Sequence, residues 1–114
     1  MGDKSQFLKG TLEGCILKII SDKEVYGYEI AERLKSFGLT DISEGTIYPL
    51  LLRLEKSGML NSVKYDSPLG PKRKYYTLSD LGQEELKSFY DNWKSLKESI
   101  DKIFLDYEGE SENE

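Results

Sequence analysis

Apolar residues recur at helical spacing along most of the chain. Leu8, Leu12, Cys15, Ile16 and Ile19 form one such stripe and predict a first helix over residues 8–20. The polar run Asp22-Lys23-Glu24 interrupts it. Gly27 precedes a second amphipathic stretch, with Tyr28, Ile30, Leu34 and Phe37 expected to face inward and Gly38 as the stop. Ile47, Leu50, Leu51 and Leu54 mark a third helix, followed by Gly58. Its start is ambiguous. With Ser43 as the cap, Pro49 lies inside the helix and removes a backbone bond. With Thr46 as the cap, Pro49 falls in the first turn, where a missing N–H costs nothing.

Strand character replaces helical spacing at Leu60–Tyr65 and Lys72–Leu78. The turn-forming residues Asp66 to Pro71 lie between them and predict a hairpin with a loop of about six residues. Tyr76 and Leu78 share one face of the second strand and are expected in the core. Ser79 then caps a long final helix, with Glu84 and Glu85 near its positive end. Along it Leu86, Phe89, Trp93, Leu96, Ile100, Ile103 and Tyr107 recur at steps of three and four, a heptad seam. About 25 residues of helix span ~38 Å. That is more than a small domain covers by folding back, so the seam predicts a second copy of the chain as partner. Leu8 and Leu12 of the first helix are expected to pack across it.

Three helices, a hairpin and a long helix make a mainly α fold with a small β-hairpin, on the winged helix-turn-helix plan. The expected organisation is a winged helix-turn-helix unit over 1–78, a dimerisation helix over 79–107 and an acidic disordered tail over 108–114. On a wheel of 100° per residue, Ile47, Leu50, Leu51 and Leu54 lie within about 60° of Ile47. Gly45, Pro49, Leu52, Arg53 and Lys56 lie opposite, with Tyr48 flanking. Such a face suits a major groove, with Thr46 and Tyr48 near its N-terminal end, or is the solvated side of an ordinary core helix. Lys64, Lys72, Arg73 and Lys74 place charge on the hairpin, where they can neutralise phosphates or simply blunt an edge strand.

Charge at first opposes a nucleic-acid partner, because the 114 residues carry a net −5. The last ten residues hold five acidic groups and no basic one, and without them the chain is neutral. Within that neutral body, residues 53–74 carry six basic groups against Glu55 and Asp66, a net +4. Histidine is absent and Cys15 is the single cysteine. Histidine-based acid–base chemistry, a Cys–His nucleophile and a zinc site are thereby excluded, and no enzyme, metal or cofactor is expected. One cysteine fits a reducing cytoplasm. Cys15 reads as a buried structural thiol, with a redox sensor as the alternative. No apolar run reaches 18 residues, so no membrane partner is expected, and the first ten residues lack the apolar region of a secretory signal.

The segments Glu44-Gly45-Thr46-Ile47-Tyr48-Pro49-Leu50-Leu51, Arg53 to Gly58, Gly70 to Leu78 and Leu81-Gly82 closely resemble the PadR family of bacterial transcriptional regulators, as does Tyr26-Gly27-Tyr28-Glu29-Ile30. The resemblance runs from about Leu8 to Phe104. It implies a homodimeric repressor on a pseudo-palindromic double-stranded DNA operator. By that resemblance Thr46 and Tyr48 are recognition-helix contacts and Lys72 to Lys74 belong to the wing; Ser43, Pro49, Arg53, Lys56 and Lys64 are the further candidate DNA contacts. Tyr28 is either a phosphate contact or core. Trp93, with Phe89 and Tyr90, resembles the place where some compact members stack a planar aromatic effector between subunits; dimer-core packing is the plainer reading of the same residue. A protein-interaction winged helix without DNA binding, or a purely structural dimerisation module, is the alternative.

Overall fold

In the computed structural model, Leu8 and residues 10–107 are described. Among these described residues, four helices and three strands are bounded, in the order α1 (Leu12–Asp22), β1 (Val25–Tyr26), α2 (Gly27–Ser36), α3 (Glu44–Lys56), β2 (Leu60–Ser67), β3 (Gly70–Leu78) and α4 (Asp80–Ile103). This is the winged helix-turn-helix plan with a long C-terminal helix. The tail over 108–114, expected to be disordered, lies outside the described residues.

One core joins α1, α2 and α3 beneath the sheet. Ile16, Leu17 and Ile20 of α1 meet Ile30 and Leu34 of α2, and Ile47 and Leu51 of α3 close the third side. Val25, Leu60 and Tyr76 bring the strands onto that core. Leu12, expected at a dimer seam, is buried in this core of its own chain, and Leu8 packs half-buried against it. In α2, Ile30 and Leu34 face inward as the stripe predicted, but Tyr28 and Phe37 do not: 46% and 70% of their surfaces stay exposed. Both lie at the ends of α2, where a short helix leaves the body that its middle turns contact.

Helices α2 and α3 stop in the same way. Gly38 and Gly58 take φ of +103° and +83°, which a side chain resists. In each case the next N–H bonds back to a helix carbonyl, Leu39 to Leu34 and Met59 to Leu54, both at 3.0 Å. At the start of α3, Ser43 is the cap residue, although its hydroxyl makes no capping bond. Pro49 therefore sits inside the helix and denies Gly45 its usual i+4 donor. Gly45 is exposed, so water can serve its carbonyl.

The hairpin is longer and tighter than its sequence suggests. Only Pro68 and Leu69 separate the strands, and Ser67 pairs with Gly70. An irregularity between Tyr65 and Ser67 absorbs the unequal strand lengths. Pro71 is tolerated in β3 because β1, on that side, reaches only Tyr75 and Tyr76. Strand β1, with sheet order β1-β3-β2, has too few residues to show any periodicity in sequence.

Candidate nucleic-acid interface

Helix α3 is held to the core by Ile47, Leu51 and Leu54, and this leaves its other face outward. Ser43, Thr46, Tyr48, Pro49, Arg53 and Lys56 are all exposed. The Ser43 and Thr46 hydroxyls lie 3.3 Å apart. Tyr48 stands on the opposite flank from Thr46, so the helix offers two separate polar edges near its N-terminus. Loss of solvent raises the Tyr48 phenol above its ordinary value, and the charges of Glu44 and Tyr26 add to the shift. The phenol therefore stays protonated at neutral pH and can both donate and accept. Arg53 is not free: its guanidinium pairs with Glu13 of α1.

The wing carries Lys64 opposite Lys74 and Tyr65 opposite Arg73. Its four basic residues have different surroundings. Lys74 turns inward and donates to Glu55 of α3 at 2.6 Å. The other oxygen of that carboxylate accepts from Ser62 of β2 at 2.6 Å. The Lys74 bond, then that of Ser62, holds the Glu55 carboxyl below its ordinary range, while the same contact raises Lys74. Glu55 thus ties the wing to helix α3, a role that sequence alone did not suggest. Its only signal was an acidic residue inside a basic segment.

Arg73 lies over the Tyr26 ring, 4.8 Å from its centre. Tyr26 in turn packs on Tyr75, and Tyr75 on Tyr65, with ring centres 5.4 and 5.1 Å apart. These rings form one row running from β1 across β3 to β2. Lys72 stands 3.9 Å from Asp66, both in solvent, and Lys64 is exposed. Tyr28 is exposed beside Tyr26, with ring centres 6.3 Å apart, and so lies on the surface rather than in the core.

Away from this face, α4 lies on α1 through its first turns. Gly14 of α1 leaves room for the Phe89 ring, and Gly82 abuts the Met59 carbonyl. Leu86 and Phe89 are half-buried by that contact. Beyond Phe89 every described residue of α4 is exposed, including Trp93, Leu96, Ile100 and Ile103. Phe89, Tyr90 and Trp93 line one side of a groove of about 710 Å³, opposite Cys15, Lys18 and Phe37. Partial burial raises the Cys15 thiol, which keeps it from the reactive thiolate form. No helix among the described residues is long and apolar enough to cross a membrane.

The Transcriptional regulator PadR-like family model matches residues 16–88. An uncharacterized protein of Lysinibacillus sphaericus is 35% identical over 105 residues, covering 90% of this chain and 95% of its own length. The crystal structure of a PadR-like transcriptional regulator from Bacillus cereus is 48% identical, with a TM-score of 0.79, covering 87% of this chain and 96% of that one. Bacillus subtilis PadR, solved in complex with operator DNA, is 28% identical, with a TM-score of 0.66, over 70% of this chain and 46% of that one.

Proposed function

The chain belongs to the PadR-like family of transcriptional regulators, and we propose that it binds a pseudo-palindromic DNA operator as a homodimer and represses transcription there. The observation that carries this reading is one surface built from two elements. The exposed polar edges of α3 stand beside a hairpin bearing Lys64, Lys72 and Arg73, and the Glu55–Lys74 contact fixes one against the other. Helix α3 enters the major groove, Thr46 and Tyr48 meet base edges, and the wing neutralises phosphates. The Bacillus subtilis protein, whose structure contains operator DNA, supports the same use of this fold.

The homodimer forms through α4, whose outer apolar residues stay exposed among the described residues of one chain. It sets the spacing of the two reading helices and so the operator half-sites. A planar aromatic effector binds at this interface beside Trp93, Phe89 and Tyr90, and favours a dimer whose reading helices no longer match the half-sites.

The test starts from DNA enriched by the purified protein from a random pool. Binding to the enriched sequence across a salt series should weaken steeply, with log K falling by about 0.9 per phosphate contact for each unit of log salt. Repression is read by transcription in vitro from a promoter carrying that sequence. Failure to bind any DNA at low salt would overturn the reading in favour of a protein-interaction winged helix, to which the net charge of −5 is better suited.

A further inference from the structure

Gly27 opens α2, is buried, and has no positive φ to explain it. Alanine is the better helix former, so neither backbone conformation nor propensity calls for glycine here. Space does. A Cβ on residue 27 would stand 2.5 Å from Tyr48 Cε1 and 3.2 Å from both Cζ and Oη. The Tyr48 ring therefore rests directly on the bare backbone at the start of α2, with its hydroxyl end over the same spot.

This contact crosses between the two helices of the helix-turn-helix. Tyr48 reaches outward from α3, yet 45% of its surface is all that stays exposed. Its seat is itself fixed, because the Tyr26 N–H donates to the Glu29 carboxylate at 3.1 Å and anchors the first turn of α2. The side chain at 48 is thus held by a surface that no other residue type leaves open.

We propose that Gly27 is a specificity-determining positioning residue: its missing side chain seats the Tyr48 ring and so sets where the Tyr48 hydroxyl meets DNA. The inference rests on the DNA-binding reading above. A methyl at 27 meets the far end of a side chain, not backbone, so Gly27→Ala displaces the ring while the fold persists. The hydroxyl then misses its contact, and discrimination among sequences falls more than general DNA affinity.

Two measurements test this, one without DNA. In the free wild-type protein, NMR should show a nuclear Overhauser contact between Gly27 Hα and the Tyr48 ring. Its absence overturns the seat, whatever the protein binds. The second compares wild type, Gly27→Ala, Tyr48→Ala and the double variant on the enriched sequence and on a scrambled one. Gly27→Ala should lower the preference ratio by about tenfold, the scale of one lost base contact. In the Tyr48→Ala background it should change nothing further, because no ring remains to displace. An unchanged ratio in Gly27→Ala, or an equal loss in both backgrounds, overturns the proposal. If Gly27→Ala fails to fold, removing the ring should restore folding, and a double variant that stays unfolded also overturns it. A wild type that enriches no sequence, with the Overhauser contact present, instead defeats the DNA reading and leaves the seat standing.

Discussion

Lys72, Arg73 and Lys74 are consecutive in sequence and do three different things in space. Lys74 is committed to Glu55, Arg73 lies over Tyr26, and Lys72 faces solvent near Asp66. Arg73→Ala should weaken binding to all DNA alike and lower the salt slope by about 1. Lys74→Ala should leave that slope nearly unchanged and instead loosen the wing, so that titrations in parallel separate the two. Glu55 carries a pH dependence of definite sign. Its folded-state value lies below the ordinary 4.5, so its contact contributes stability above that value. The contribution is lost as pH falls through the lower folded value. Glu55→Gln should cost about 1 kcal/mol at pH 7, discounted for partial exposure, and converge on wild type in urea unfolding as the pH falls below the folded value of Glu55.

At the scale of elements, long periodic segments were the legible ones. Ile47, Leu51 and Leu54 announced α3, and Ser79 announced α4, where its hydroxyl indeed accepts from the Gly82 N–H at 3.0 Å. The hairpin misled because Asp66, Ser67, Gly70 and Pro71 are turn formers by type. They nevertheless enter the strands, since a bulge and an unpaired edge accommodate them. Tyr28 misled because helical spacing says which side a residue faces but not where the neighbouring body ends. Legibility of the proposed DNA-facing site was uneven for a related reason. Exposed α3 residues follow from the wheel, whereas the partners of Arg53 and Lys74 come from α1 and α3 across the fold. Gly82 shows a spacing that sequence marks only by the residue type. A Cβ there would run into the Met59 backbone carbonyl, which cannot swing aside as a side chain does. Gly82→Ala should therefore lower stability by about 2 kcal/mol, read from thermal or urea unfolding, and should disturb the angle at which α4 leaves the wing.

Over the whole molecule, the described chain is 56 Å long and 29 by 21 Å across, and α4 projects from the body that would otherwise cover it. Trp93 is 41% exposed in one chain and Ile103 75%. An apolar row of this kind on an isolated helix favours association. Burial on a second copy would follow the row from Trp93 through Leu96 and Ile100. Placing a carboxylate in that row opposes burial, because an unpaired charge in an apolar contact is costly. Leu96→Glu combined with Ile100→Glu should leave the winged-helix core folded, since neither residue touches it, and shift sedimentation from dimer to monomer at micromolar concentration. Trp93 emission should move to the red as its indole meets water. On the enriched operator, the monomer should retain half-site contacts and lose the gain from linking them, so affinity should drop by at least about a hundredfold. A variant pair that still sediments as a dimer would place the interface elsewhere. A wild type that is already monomeric would remove the half-site spacing on which the proposed twofold operator depends.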